Sequence, residues 1–217
     1  MKPKQCDPER NCDLCPRLAS FRAENRGLFP DWHNAPVDTW SSATGDASVK
    51  LLIVGLAPGL KGANRTARPF TGDYAGDLLY ATLQKFDLAH GEYAKEKYDS
   101  LELHKTAITN AVRCVPPQNK PTTDEINRCR TFLTSTIARF KNLKCIITLG
   151  KIAHDSTLRS LNKIPARLRF GHGVIHETEN LYIVSSYHCS RYNTNTGRLT
   201  EAMFEDVFKI AARYYDL

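Results

Sequence analysis

From Lys50 onward the chain alternates short apolar runs with longer stretches whose apolar positions recur every three or four residues. Leu51 to Val54, Ala107 to Thr109, Cys145 to Leu149 and Leu181 to Ser185 are too short and too apolar for amphipathic surface helices, and read as buried strands. Between them, Asp77 to Phe86 places Leu78, Leu79, Leu83 and Phe86 on one helical face. Thr122 and Glu125 have capping-box spacing and open a helix running toward Phe140, and Lys151 to Leu161 forms another helical stretch. The last helix begins near Thr200 and turns Phe204, Val207, Phe208 and Ala211 to the core, with Glu201, Glu205 and Lys209 outward. This alternation predicts an α/β chain, a parallel sheet flanked by helices.

Residues 1 to 48 lack such periodicity. They are rich in Cys, Pro, Asn, Asp and charge, and read as an irregular arm, with Trp40 to Ser48 as the one plausible linker. No repeat or low-complexity tract is visible. At 217 residues the chain suffices for one full core and is short for two, so residues 1–217 are read as one domain. Nothing approaches the about 20 apolar residues of a membrane span, and the first residues carry charge and Pro where a signal peptide needs an apolar run. A soluble, monomeric, cytoplasmic protein is expected. The formal charge of +7 suits a polyanionic partner. Seven cysteines in such a chain argue against a disulfide framework and for metal or cluster ligands, with some thiols simply buried.

In an open parallel sheet, ligands bind beyond the carboxyl ends of the strands. Three strand ends are unusual: Gly55-Leu-Ala-Pro-Gly59, Asn110-Ala-Val-Arg-Cys114 and Ser186-Tyr-His188-Cys-Ser190. The glycines permit a tight turn with close backbone approach to a ligand, or serve an ordinary strand-to-helix turn. They match neither a phosphate-binding loop nor a dinucleotide fingerprint. Phe70, within Arg65-Thr-Ala-Arg68-Pro-Phe70-Thr-Gly-Asp73, is a stacking platform or a core residue. Asp73 is the carboxylate near the first strand end, or the N-cap of the helix after it. His188 can donate to an oxygen gaining negative charge, or be a packed histidine.

Cys12-x-x-Cys15, Cys114 followed by Pro116-Pro117, and Cys129 provide four thiolates, enough for a 4Fe-4S cluster or a structural zinc. The 15-residue gap from Cys114 to Cys129 does not fit a paired zinc ribbon, which favours the cluster. Cys6 is an alternative ligand, and Cys145 heads an apolar run and belongs in the core.

These segments together resemble the type 5 (family B) uracil-DNA glycosylases. Gly55 to Gly59, Gly62-Ala-Asn64-Arg65-Thr66 and Arg68 to Asp73 resemble that family's first motif. Thr109 to Cys114 with Asn119-Lys-Pro121 resembles its central segment, and His188, Ser190 and Asn193 to Leu199 its second motif. Leu56 stands where the type 4 enzymes carry glutamate, which aligns the chain with type 5. The resemblance implies a three-layer α/β/α sandwich with a central four-stranded parallel sheet, and a 4Fe-4S cluster on Cys12, Cys15, Cys114 and Cys129. It implies a monofunctional base-excision-repair hydrolase acting on flipped-out uracil, and on hypoxanthine and modified uracils too.

By the same likeness Asp73 and His188 are catalytic, and Gly55, Ala57, Phe70 and Asn110 bind the base. Arg65, Ser190, Arg191 and Tyr192 are placed at the DNA or as the wedge filling the gap in the stack. Arg113, Lys120, Arg128 and Arg130 are expected near phosphates around a structural cluster, and DNA containing deaminated bases is the expected partner. The implied setting is the cytoplasm of a bacterium or archaeon, with use at the nucleoid. Two positions depart from the motifs: Ala67 replaces a usual glycine and Cys189 a usual proline, and both are expected to touch the site. They motivate the alternative of a non-catalytic iron-sulfur protein that binds damaged DNA.

Overall fold

The computed structural model describes residues 6–179 and 181–215. Its elements, in chain order, are α1 (Pro16–Leu28), β1 (Leu51–Gly55), α2 (Ala63–Thr66), α3 (Tyr74–Lys85), β2 (Ala89–His90), β3 (Glu102–Leu103), β4 (Thr106–Asn110), α4 (Thr123–Arg139), β5 (Cys145–Leu149), α5 (Lys151–Ser160), β6 (Ile175–Glu177), β7 (Tyr182–Ser186), α6 (Arg191–Asn195) and α7 (Glu201–Tyr215). The four apolar runs become β1, β4, β5 and β7, all mutually parallel where they pair, in a sheet of order β4-β1-β5-β7-β6. The fifth strand, β6, is an addition to the expected four and pairs antiparallel with β7 at the sheet edge. It is three residues long with an exposed-intermediate-exposed pattern, too short and too wet to carry a strand signature.

β1 is buried along its whole length and feeds two cores by strand alternation. Leu51 and Ile53 pack with Leu79, Leu83, Phe204, Val207 and Phe208 of α3 and α7. Leu52 and Val54 pack with Leu133, Ile137, Ile146 and Ala153 on the α4 and α5 side. The three-layer α/β/α order follows. The capping box is present: the Thr122 hydroxyl accepts from the Glu125 N–H while the Glu125 carboxylate accepts from the Thr122 N–H. Glu205 is buried rather than outward, its carboxylate 2.6 Å from Lys85 Nζ.

The N-terminal arm is less irregular than its sequence predicts, because α1 lies inside it. Pro16 starts that helix, and its buried face consists of Leu18, Arg22 and Asn25, so no apolar stripe advertises it. The Trp40 to Ser48 stretch is no free linker: Trp40 bridges Ile108 at the outer edge of β4, and Asp46 pairs with Arg139. Among the described residues, no helix is long and apolar enough to cross a membrane.

Candidate active site

The chain runs from β1 to β4 on one side and returns to β5 on the other, so the strand order reverses about β1. At that reversal the carboxyl ends of β1 and β4 lie side by side, Gly55 in register with Asn110. A cavity of about 370 Å³ opens there, lined by Leu56, Ala57, Pro58, Gly59, Phe70, Asp73, Tyr74, Ala75, Asn110, Asn119, His188, Ser190 and Arg191. Its size suits a small ring ligand.

Asn110 ends β4 and is buried, and its Oδ1 has no hydrogen-bond partner. An orphaned buried acceptor costs about 1–3 kcal/mol unless something donates to it. Phe70 is both platform and core: only 6% exposed, it lines the cavity and belongs to the α3/α7 core. It faces His188 with ring centroids 6.0 Å apart and planes 27° from parallel. Gly55 lies against the Phe70 and Asn110 side chains and does not line the cavity. A Cβ there would stand 2.5 Å from Phe70 Cζ and would also overlap Asn110 Oδ1, so the glycine makes their approach possible.

Asp73 is the N-cap of α3, its Oδ1 accepting from the Gly76 N–H at 3.2 Å. The other oxygen lies over Gly59 and Gly62, where added Cβ atoms would come within 2.9 and 2.6 Å of Oδ2. Burial raises the Asp73 carboxyl above its ordinary range, partly offset by the N–H groups of Gly76 and Ala75. His188, two residues past β7, is pulled down to about 4 by burial, which makes it a neutral imidazole at neutral pH. Ser190 borders the cavity and caps α6 by accepting from the Asn193 N–H.

Phe70 adopts φ +56°, a left-handed conformation that ordinary side chains avoid. A buried network holds it there. The buried Arg68 makes a two-pronged ion pair with Asp99 at 2.6 and 2.8 Å and donates to Thr71 Oγ1 at 2.7 Å. Its guanidinium also stacks on Trp40, 4.7 Å from the ring centre. Tyr93 donates to the Phe70 carbonyl and accepts from the Gly72 N–H, while Tyr80 donates to the Pro69 carbonyl. None of these partners was singled out from sequence.

Arg65 and Tyr192 are not brought to the cavity lining. Arg65 pairs with Glu96 at 2.9 Å beside a separate groove lined by Trp32, Ala67 and Tyr98, and Tyr192 is exposed on α6. Arg191 stands at the cavity rim with its guanidinium 5.2 Å above the Tyr74 ring. Leu56, Pro58, Gly59, Tyr74, Ala75 and Asn119 complete the lining beyond the expected site residues. For Asn119 the available signal was its place after the Pro116-Pro117 turn.

Of the two departures from the motifs, Ala67 does not touch the site, whereas Cys189 backs it through Ala75, one of the lining residues. Ala67 lies in the other groove, at φ +66°, and Cys189 is fully buried behind the cavity, its thiol donating to the Ala75 carbonyl.

Cys12, Cys15, Cys114 and Cys129 line a second small cavity with Leu18, Val112 and Phe132. Two donors point at its sulfurs: the Arg113 N–H to Cys129 Sγ at 3.3 Å and Arg22 Nη1 to Cys114 Sγ at 3.6 Å. Cys6 lies elsewhere, its thiol donating to the Ser135 carbonyl. Arg113 does not reach outward, as expected of a phosphate contact, but is fully buried on Asp7, Thr39 and Thr136.

Residues 42–212 match the profile of the Uracil DNA glycosylase superfamily. Over 93% of its length the chain is 36% identical to the Type-5 uracil-DNA glycosylase of Thermus thermophilus, covering 93% of that protein. The chain belongs to the type 5 uracil-DNA glycosylases. The Pyrobaculum aerophilum and Mycobacterium bovis members of this type are 34% and 38% identical, again over 93% of the chain and over 88% and 77% of their own lengths. In this type 5 chain the matched region takes in the whole cavity lining, from Leu56 to Arg191, together with Cys114 and Cys129.

Proposed function

We propose that this chain is a monofunctional uracil-DNA glycosylase that hydrolyses the N-glycosidic bond of a flipped-out uracil, with hypoxanthine and modified uracils as further substrates. The observation that carries the reading is the unpartnered Asn110 Oδ1, buried in one cavity with Phe70, Asp73 and His188. An imide N–H of uracil supplies the donor that oxygen lacks, and the Asn110 amide can donate to the adjacent carbonyl. A base cannot be attacked inside the duplex, so it is extruded by about 180° into such a pocket. Phe70 then stacks on it; base–aromatic stacking is worth about 1–3 kcal/mol.

As the bond breaks, the sugar becomes electron-poor and the base anionic. The Asp73 carboxylate stabilises the positive charge and orients water, and the neutral His188 N–H donates to the departing base. Leu56, Ala57 and Pro58 offer no polar side chain to test ring substituents, which supports broad base selection. Arg191 and Tyr192 on α6 are the wedge candidates, and Lys61 and Lys120, both exposed beside rim segments, suit flanking phosphates. The two positions that motivated a non-catalytic protein lie off the cavity lining, so hydrolysis is the reading retained.

The four cysteines suit a 4Fe-4S cluster. The 15-residue gap from Cys114 to Cys129 does not fit a paired zinc ribbon, which favours the cluster over a structural zinc. When bound, the cluster supplies four iron–thiolate bonds that tie α1 to α4 and to the segment after β4. It takes no part in the hydrolysis. Uracil-containing duplexes incubated with the protein and then with alkali test the main reading: scission well above an Asp73→Ala control is expected, and scission equal to that control overturns it. Borohydride trapping should give no covalent adduct, since among the described residues no lysine lines the cavity.

A further inference from the structure

Between α3 and β4 the chain makes an excursion, residues 86 to 105, built on the two-stranded hairpin of β2 and β3. Its tip supplies Tyr93 and Asp99, the groups that grip the Phe70 loop. At its base, three ligating side chains from three chain segments converge: Asp87 just after α3, His90 in β2 and His104 just after β3. One ring nitrogen of each histidine and a carboxylate oxygen of Asp87 lie within 4.8 Å of one another.

We propose that Asp87, His90 and His104 form a binding site for a zinc-class divalent transition-metal cation that staples the base of this hairpin. His90 Nε2 is 3.7 Å from Asp87 Oδ1, close to the about 3.3 Å edge of a tetrahedron with N and O ligands at 2.0–2.1 Å. The two imidazole rings lie 5.4 Å apart, centre to centre. His104 Nδ1 is 3.2 Å from the Asp87 backbone carbonyl; donating there fixes the tautomer and leaves Nε2 its lone pair for a metal. The hairpin ladder sets the approach, because His90 pairs with Glu102 and the His104 N–H donates to the Leu88 carbonyl. Two imidazoles and one carboxylate select zinc, nickel, cobalt or copper over calcium and magnesium, which take all-oxygen sets. Leu88, Ala89 and Leu103 anchor the hairpin in the core, so three ligands on this frame are positioned without ordering a loop.

The site is distinct from the four cysteines, and its occupancy does not depend on the glycosylase reading. Isothermal titration of the protein as purified with zinc alone, against His90→Ala/His104→Ala and Asp87→Asn variants, is the test. Asn tolerates the φ of +59° at position 87, so the second variant removes the charge and keeps the turn. The expected result is one zinc equivalent bound by the wild type at micromolar concentration, at least tenfold weaker in both variants. Zinc should also raise the melting midpoint of the wild type alone. Binding of equal affinity in all three proteins, or none in the wild type, overturns the proposal.

Discussion

Asp73 holds two positions at once, with one carboxylate oxygen capping α3 and the other turned toward Gly59 and Gly62 beside the cavity. Asn is as good a cap as Asp, so Asp73→Asn should leave stability within about 0.5 kcal/mol while lowering uracil release on the order of 10²- to 10⁴-fold. Asp73→Ala should lose activity and about 1 kcal/mol of stability as well. Chemical denaturation beside single-turnover assays separates the two roles.

The titrations give a signed prediction. With its pKa raised by burial, Asp73 takes up a proton above the usual carboxylate value of 3.8, so the acid limb of the rate profile should stand above that value. His188 is already neutral at physiological pH and gains a proton only near 4, so no limb is expected at the ordinary histidine value of 6.5. The stability signs oppose each other. The His188 contribution is present above 6.5 and lost as pH falls toward 4, whereas the cost of holding Asp73 ionised is relieved as pH falls through its raised value. A single-turnover pH series checks the rate prediction, and a limb at 6.5 would contradict it.

The Phe70 loop is the element on which the pocket depends, and its strain is balanced by the Arg68–Asp99 pair. Asp99→Ala leaves a buried guanidinium unpaired and should cost about 3–5 kcal/mol. Ala67 bears a left-handed backbone in the same segment, so Ala67→Gly should stabilise by about 1 kcal/mol. That gain raises the melting midpoint by about 2–4 °C for a chain of this size, read by calorimetry. The strands and the helices α3, α4 and α7 were legible from their apolar positions and the α4 capping box, whereas α5 gave a weaker pattern because His154, Ser156, Thr157 and Ser160 share its buried face. α1 was not legible, since Arg22 and Asn25 fill its buried face, and β2, β3, β6 and α6 are too short for any period to show. The network around Phe70 was hidden for another reason: Tyr93 and Asp99 reach it from a polar hairpin tip, a tertiary contact that no local pattern encodes.

At the scale of the molecule, the parallel sheet made the site readable. Because ligands collect at the carboxyl ends of parallel strands, Asn110 and His188 stood out before any contact was known, and both line the cavity. Arg65 illustrates the limit: it shares the first motif with Phe70 and Asp73, yet it lies outside their cavity, paired with Glu96 beside a different groove. The cysteines were legible as a set of four, and the fold places all four around one cavity. If a cluster ties α1 to the body there, removing it by chelation should lower the melting midpoint and loosen α1, which hydrogen exchange would resolve. The decisive measurement is the release of uracil from a single-uracil duplex by the wild type and by Asp73→Asn under identical single-turnover conditions. Release by the wild type and a loss of at least 100-fold in a folded, equally stable variant are expected. Equal rates in the two proteins, or no release by either, would contradict the proposed mechanism.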